Sequence, residues 1–95
     1  MHYLVIERFR NGDPKPVYAR FAEDGRMAPA GLEYVDSWVT HDLSTCYQVM
    51  RAPDGPEGRA LLDLWTARWA DLVDFEIVPV LTSPAAAAAV AQQRA

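Results

Sequence analysis

The hydrophobic positions fall into four short runs typical of strands, separated by two stretches with the spacing of amphipathic helices. The first strand is predicted over residues 2–9, a segment rich in the strand-favouring residues Tyr, Val, Ile and Phe together with Leu. Further strands are predicted over 32–39, 45–51 and 73–81. The polar connection Thr40-His41-Asp42-Leu43 has the length of a hairpin loop, so the second and third strands should pair.

Two helices are predicted between these strands. Asp13 and Pro14 suit the N-cap and first position of a helix that Gly25 would stop. A second helix is predicted from about Gly58 to Ala70. This helix should turn one apolar stripe towards the core of the domain, because five apolar side chains recur at helical spacing: Leu61, Leu64, Trp65, Trp69 and Leu72.

The order β-α-β-β-α-β with right-handed crossovers predicts an α+β, ferredoxin-like fold. The four strands should form an antiparallel sheet in the spatial order 4-1-3-2, with both helices on one face. We expect one domain over residues 1–82 and an alanine-rich helical tail over 83–95, which Ser83-Pro84 opens.

The helices leave the other face of the sheet open. If the aliphatic positions such as Leu4 and Ile6 face the helices, the open face collects the alternate positions: Tyr3, Val5, Glu7, Tyr34, Asp36, Trp38, Glu76, Val78 and Val80. The apolar area of this face is larger than monomers usually expose, and we therefore expect a homodimer. In the third strand, Cys46, Gln48 and Met50 share one face, but the pattern does not fix which.

Several segments together resemble a bacterial family of domains of unknown function: VIERFRNG at 5–12, GLEYVDSW at 31–38, CYQVM at 46–50, and Trp69 with DLVDFEIVPV at 71–80. The resemblance covers nearly the whole chain and implies the dimeric α/β-barrel superfamily. That superfamily includes cofactor-independent monooxygenases, lactone isomerases, dehalogenase- and decarboxylase-like enzymes, and ligand-sensing modules. No catalytic residue is carried over, because a shared fold does not fix function.

Charge, apolar run length and cysteine count limit the kinds of partner and the location that we expect for the protein. The formal net charge is −4 and the basic residues are scattered, so we expect no nucleic-acid partner. The longest apolar run, 85–91, is far shorter than the ~20 residues needed to cross a bilayer, so no membrane partner is expected. Cys46 is the only cysteine, which excludes an intrachain disulfide. With no secretory leader visible, these features favour a cytoplasmic location.

Three acidic residues are candidates for acid–base chemistry. Glu7 and Glu76 are expected on neighbouring strands, and Asp36 on the same face would add a third carboxylate. Carboxylates that converge in a cleft raise one another's pKa, which suits a general acid or base. The alternative is structural, with these groups paired to arginines or solvated.

Four residues are candidates for ligand binding: Tyr34, Trp38, Gln48 and His41. The two aromatic residues suit either the wall of an apolar pocket or the anchors of a dimer interface. His41 suits a lone base or a solvated turn residue. His2 should lie roughly 25 Å from it along the sheet, so we expect no metal site, and no motif points to a cofactor.

The sequence does not determine the function and leaves two hypotheses open. In the first, a small dimeric α/β-barrel protein binds a small apolar or aromatic molecule, either between sheet and helices or within the barrel. Metal-free acid–base or oxygenase-type chemistry on that molecule would be compatible with this hypothesis. In the second, the domain is a non-catalytic homodimeric sensing or interaction module.

Overall fold

The computed structural model describes residues 1–93 as four strands and three α-helices. In chain order the elements are β1 (His2–Phe9), a short 3-10 turn (Arg10–Gly12), α1 (Lys15–Asp24), β2 (Glu33–Val39), β3 (Thr45–Arg51), α2 (Pro56–Ala67), β4 (Val73–Val80) and α3 (Ser83–Gln93). The predicted order of elements is confirmed. Helix α2 begins earlier than expected, because Pro56 takes its first turn, and it also ends earlier, at Ala67.

The sheet has the order β2-β3-β1-β4, and every neighbouring pair is antiparallel. This is the predicted order, so the chain has the α+β architecture of a ferredoxin-like βαββαβ fold. Strand β1 lies between β3 and β4, with Val5 opposite Gln48 on one side and Ile77 on the other. Strands β3 and β1 are therefore the two inner strands of the sheet.

The two faces of β1 are the reverse of the expectation. Tyr3, Val5 and Phe9 are buried in the core with the α2 side chains, and Glu7 shares their face. Leu4 and Ile6 lie on the open face. The prediction was wrong because both faces of β1 are apolar, so alternation alone could not choose between them. The set with two aromatic rings fills the space beneath the helices.

A β-bulge in β2 corrects a second expectation. The register shifts between Tyr34 and Asp36, so Val35 is the extra residue. Tyr34 pairs with Met50 on the helix side, whereas Asp36 pairs with Val49 on the open face. Tyr34 and Asp36 therefore face opposite sides, although residues two apart in a regular strand share a face.

Helix α2 supplies the centre of the core. Leu62 and Trp65 are almost completely buried, and Trp69 follows in the turn after the helix. Leu64 was expected on this stripe but is 48% exposed, so that assignment was wrong. Gly58 extends the buried stripe at the point where the backbone of Pro53 comes close to the helix. A Cβ on Gly58 would lie 1.8 Å from the Pro53 carbonyl oxygen, so only glycine fits there.

The open face keeps the apolar character that the sequence predicted, with a partly different membership. It carries Leu4, Ile6, Trp38, Tyr47, Val49, Val78 and Val80. The face of β3 is now fixed, because Cys46, Gln48 and Met50 are buried on the helix side. Helix α3 has no buried residue. No helix within residues 1–93 combines the length and apolar character needed to cross a membrane.

Candidate functional site

A cavity of about 260 Å³ lies between the helix-facing side of the sheet and the helices. Its lining comes from three strands, both helices of the βαββαβ unit, and the segments that follow each helix. The lining residues are Glu7, Phe9, Val17, Tyr18, Phe21, Arg26, Ser37, Val39, Cys46, Gln48, Trp65 and Trp69. Five of these twelve are aromatic, so the cavity is mostly apolar with a few polar groups, the usual composition of a ligand site.

Aromatic rings form the helix-side wall of the cavity. Tyr18 and Phe21 project from α1 and remain partly exposed, which places them where the cavity meets solvent. The Tyr18 ring meets Phe9 edge-on, with centroids 6.4 Å apart. Trp65 and Trp69 close the inner side and are buried. This wall offers apolar and stacking contacts rather than hydrogen bonds.

The segment after α1 positions Arg26 in the cavity. Helix α1 ends at Gly25, whose φ of 70° turns the chain out of the helix. The carbonyl oxygen of Arg26 then accepts hydrogen bonds from the indole N–H groups of Trp65 and Trp69, each at 3.0 Å. Arg68 donates to the next carbonyl, that of Met27, at 2.6 Å. Three donors at and after α2 therefore fix this segment.

A chain of hydrogen bonds crosses the polar side of the cavity. Arg26 Nε donates to Gln48 Oε1 at 2.9 Å, and Gln48 Nε2 donates to Glu7 Oε2 at 3.1 Å. Gln48 is only 4% exposed, and both ends of its amide are satisfied by these contacts. The arginine fixes the amide orientation, because Nε can only donate. The amide must then present its N–H to Glu7.

Glu7 has an unusual acidity for a carboxyl group. Burial raises its pKa from 4.5 to about 7, and the nearby Arg26 charge opposes this rise only in part. A carboxyl group with that pKa is divided between acid and carboxylate near neutral pH. It can therefore either donate or accept a proton, as a general acid or base must.

Cys46 and Tyr18 stay protonated beside Glu7. Burial raises the pKa of the Cys46 thiol to about 12, and the Glu7 charge adds to this rise. Burial, followed by the neighbouring Cys46 and Glu7, also raises the pKa of Tyr18. A thiol with so high a pKa is a poor nucleophile, so Cys46 acts as apolar lining. Glu7 is the group of this site that can exchange a proton near neutral pH.

Residues 1–94 match the family model described as Domain of unknown function (DUF3303). The chain belongs to the DUF3303 family. This confirms the resemblance to a family of domains of unknown function. No curated protein and no solved structure was found to match the chain.

In this DUF3303 domain, three of the candidates from the sequence meet at the cavity. Glu7 and Gln48 line it directly. Tyr34 lies at its edge, where the ring stacks on the Arg26 guanidinium and the hydroxyl bonds to Ser37 Oγ at 2.8 Å. The structure places these residues together, and their role in binding remains a prediction.

The other four candidates lie elsewhere in the DUF3303 domain. Glu76 and Asp36 are on the open face, where Glu76 pairs with Arg8 at 3.0 Å. Trp38 shares that face, and His41 is exposed in the hairpin turn. The expectation that Glu7 and Glu76 meet was wrong. Glu7 pairs with Phe75 and Glu76 pairs with Ile6, so the two carboxylates point to opposite faces of the sheet.

Sequence reasoning missed Arg26, Tyr18 and Phe21. Phe21 lies within the first predicted helix, where an apolar residue is compatible with a core position as well as a cavity wall. Arg26 follows a predicted helix stop, and nothing in the sequence shows that such a residue turns inward. Within residues 1–93, no three His, Cys, Asp or Glu side chains are placed to hold a metal ion.

Proposed function

We propose that this DUF3303 domain binds a small apolar or aromatic molecule in the cavity between its sheet and its helices. The carrying observation is an aromatic-walled cavity crossed by the hydrogen-bonded chain Arg26–Gln48–Glu7. Its volume of about 260 Å³ suits a compact ligand. An apolar cavity of roughly 150 Å³ already holds benzene, so a substituted single ring fits here.

The polar chain would orient the ligand within the apolar walls. A polar substituent facing Glu7 and Gln48 would find both a donor and acceptors, while the ring would lie against Trp65 and Trp69. In an apolar site, a small number of polar groups fixes the orientation of the ligand and confers specificity. Because Glu7 titrates near neutral pH, the same arrangement supports metal-free acid–base chemistry on the bound molecule. The single cysteine, Cys46, is in keeping with a cytoplasmic setting for this activity.

The indole N–H groups allow a direct test. In a ¹H–¹⁵N NMR titration of the full chain with phenol or indole, the indole signals of Trp65 and Trp69 should shift. Both N–H groups donate to the same carbonyl at the cavity wall. The indole signal of Trp38, on the opposite face of the sheet, is the internal control and should stay in place.

A matched pair of variants on β2 locates the binding. Val39 lines the cavity, whereas Val35 is exposed on the same strand and does not. Val39→Phe should fill the cavity and weaken binding by at least about tenfold, while Val35→Phe should leave it within about twofold. Equal effects of the two substitutions, or no shift of Trp65 and Trp69 with either probe, would contradict the proposed function.

The second candidate function is a non-catalytic homodimeric sensing or interaction module. The observation that favours it is the apolar open face, where Trp38 is 58% exposed and Tyr47 39% exposed. Aromatic side chains of this kind anchor protein interfaces. A homodimer accommodates either function, because the cavity and the open face lie on opposite sides of the sheet. Failure of the cavity to bind any probe would favour this second function.

A further inference from the structure

Arg26 differs from most arginines of this domain in having no carboxylate partner. Five others form ion pairs on the surface: Arg8 with Glu76, Arg10 with Asp74, Arg20 with Asp71, Arg51 with Glu33, and Arg59 with Asp63. Among residues 1–93, no acidic side chain lies within ion-pair distance of Arg26. Its positive charge is partly buried at the cavity, where a charge without a counterion is costly.

Three contacts hold the guanidinium of Arg26 in place. Its central carbon lies 3.8 Å from the centroid of the Tyr34 ring and 5.2 Å from that of Phe21. Nε is occupied by Gln48. A guanidinium fixed by aromatic rings and one hydrogen bond has lost most of its freedom before any ligand arrives, which lowers the entropic cost of binding.

The two terminal nitrogens of Arg26 remain available. Within the part of the chain that the structure describes, neither makes a hydrogen bond. No buried side-chain nitrogen or oxygen there lacks a partner, so these nitrogens must be reachable from solvent. Arg26 also lines the cavity, so a ligand bound there would lie beside a guanidinium whose terminal nitrogens no protein group occupies. The paired N–H groups of a guanidinium match the two oxygens of a carboxylate.

We propose that the ligand is a small aromatic or apolar monocarboxylic acid whose carboxylate binds the terminal nitrogens of Arg26. This inference rests on the proposed function and adds the chemical class of the ligand. The body of the acid would lie against the aromatic wall, with Trp65 and Trp69 on its inner side. A single charge fits, because Arg26 is the one arginine among the described residues that line the cavity. Glu7 stands at the far end of the same hydrogen-bonded chain. A second negative charge beside Glu7 would be repelled whenever Glu7 is in its carboxylate form.

Benzoate and benzamide provide a matched pair of probes with one ring each and nearly the same shape. They differ in charge, so only benzoate can form an ion pair with Arg26. In NMR titrations at about pH 6 and constant ionic strength, wild-type protein should bind benzoate at least about tenfold more tightly than benzamide. The readout is again the Trp65 and Trp69 indole signals, with Trp38 as the internal control.

Substitution of the arginine assigns the preference to one residue. Arg26→Gln should weaken benzoate binding by at least about tenfold and benzamide binding by less than about threefold. Arg26→Lys keeps the charge without the paired geometry and should recover part of the preference. Arg59→Gln is the control for loss of one positive charge, because Arg59 is exposed on α2 and does not line the cavity. It should leave both affinities unchanged.

The outcomes separate this inference from the proposed function. Equal wild-type affinities for benzoate and benzamide would overturn the acid preference and leave a neutral-ligand site standing. An equal loss for both probes in Arg26→Gln would do the same. No binding of benzoate, benzamide, phenol or indole would overturn the proposed function together with this inference. If Arg26→Gln does not fold, the comparison of the two probes on wild-type protein still decides.

Discussion

At the scale of single residues, Glu7 shows how a strand position sets the acidity of a side chain. It lies two residues from both Val5 and Phe9, on the same face of β1. Because those two residues are buried beneath the helices, the strand forces the Glu7 carboxyl group into the same layer. Desolvation disfavours its charged form and raises its pKa, and the Arg26 charge compensates only in part. The folded protein consequently binds a proton at Glu7 at pH values where the unfolded chain has lost it.

The first prediction is that Glu7 makes stability fall between about pH 4.5 and 7. Over that range the folded state holds more protons than the unfolded state, so the free energy of unfolding declines as pH rises. A pKa raised from 4.5 to about 7 sets an upper limit of about 3 kcal/mol. Glu7→Gln should remove most of this decline and stabilise the domain near pH 8. Urea unfolding at several pH values would measure both effects.

Two other acidic groups, Asp42 and Asp71, have pKa values shifted in the opposite direction. Hydrogen bonds from Thr40 and Ser44 lower the pKa of Asp42 to about 2, and Arg20 lowers that of Asp71. Their stabilising contributions are complete above about pH 5, so they add no slope there. Glu76→Gln, on the opposite face of the sheet, is the matched control and should keep the wild-type decline. A Glu7→Gln variant that kept it too would show that Glu7 is not desolvated.

Residue chemistry was easier to predict than residue placement. Glu7 and Gln48 could be predicted as candidates because each is a polar residue within an otherwise apolar strand segment, where burial without a hydrogen-bond partner is costly. Their meeting with Arg26 could not be predicted, since it depends on a bend after α1 that two tryptophan N–H groups stabilise. Contacts between residues distant in sequence leave no local pattern.

At the scale of elements, helix α2 shows which parts of a periodic pattern carry information. Gly58, Leu62, Trp65 and Trp69 follow one another at helical spacing and are buried. The sequence placed Leu64 on the stripe as well, although helical geometry gives a stripe limited width and Leu64 lies beyond its edge. The element and its core-facing tryptophans were predictable. The precise centre of the stripe was not, because leucines occupy both sides of it.

The second prediction compares two leucines of α2. Leu62→Ala should lower the free energy of unfolding by about 2–5 kcal/mol, because it leaves a cavity in a fully buried site. Leu64→Ala, the same change on an exposed side chain, should cost less than about 1 kcal/mol. Chemical denaturation of both variants would measure the difference. Similar costs at the two positions would mean that α2 is rotated relative to the sheet.

Strand faces show a similar division between what alternation can and cannot decide. In β4, Glu76 alternates with Phe75 and Ile77, so the polar residue correctly marked the open face. In β1 both faces are apolar, and in β2 the bulge at Val35 breaks the alternation. When both faces of a central strand are apolar, alternation carries no signal that would identify either face.

At the scale of the whole molecule, the sheet separates two surfaces of different character. The helix side contains the cavity, and the open side presents apolar side chains from all four strands. Burying roughly 600 Å² of that apolar surface per chain would contribute on the order of 15 kcal/mol before the costs of association. We therefore propose a homodimer formed by packing the open faces of two sheets, which leaves each cavity on the outer side of its sheet.

The last prediction tests this assembly. Light scattering of the wild-type chain at micromolar concentration should give about twice the chain mass of 10.6 kDa. Trp38→Glu should give a monomer, because a charge buried against an apolar partner has no counterion there. Leu64→Glu is the control, since Leu64 is similarly exposed but lies on α2, across the sheet from the proposed interface. It should remain dimeric. A monomeric wild type, or a Trp38→Glu variant that stays dimeric while folded, would contradict packing through the open face.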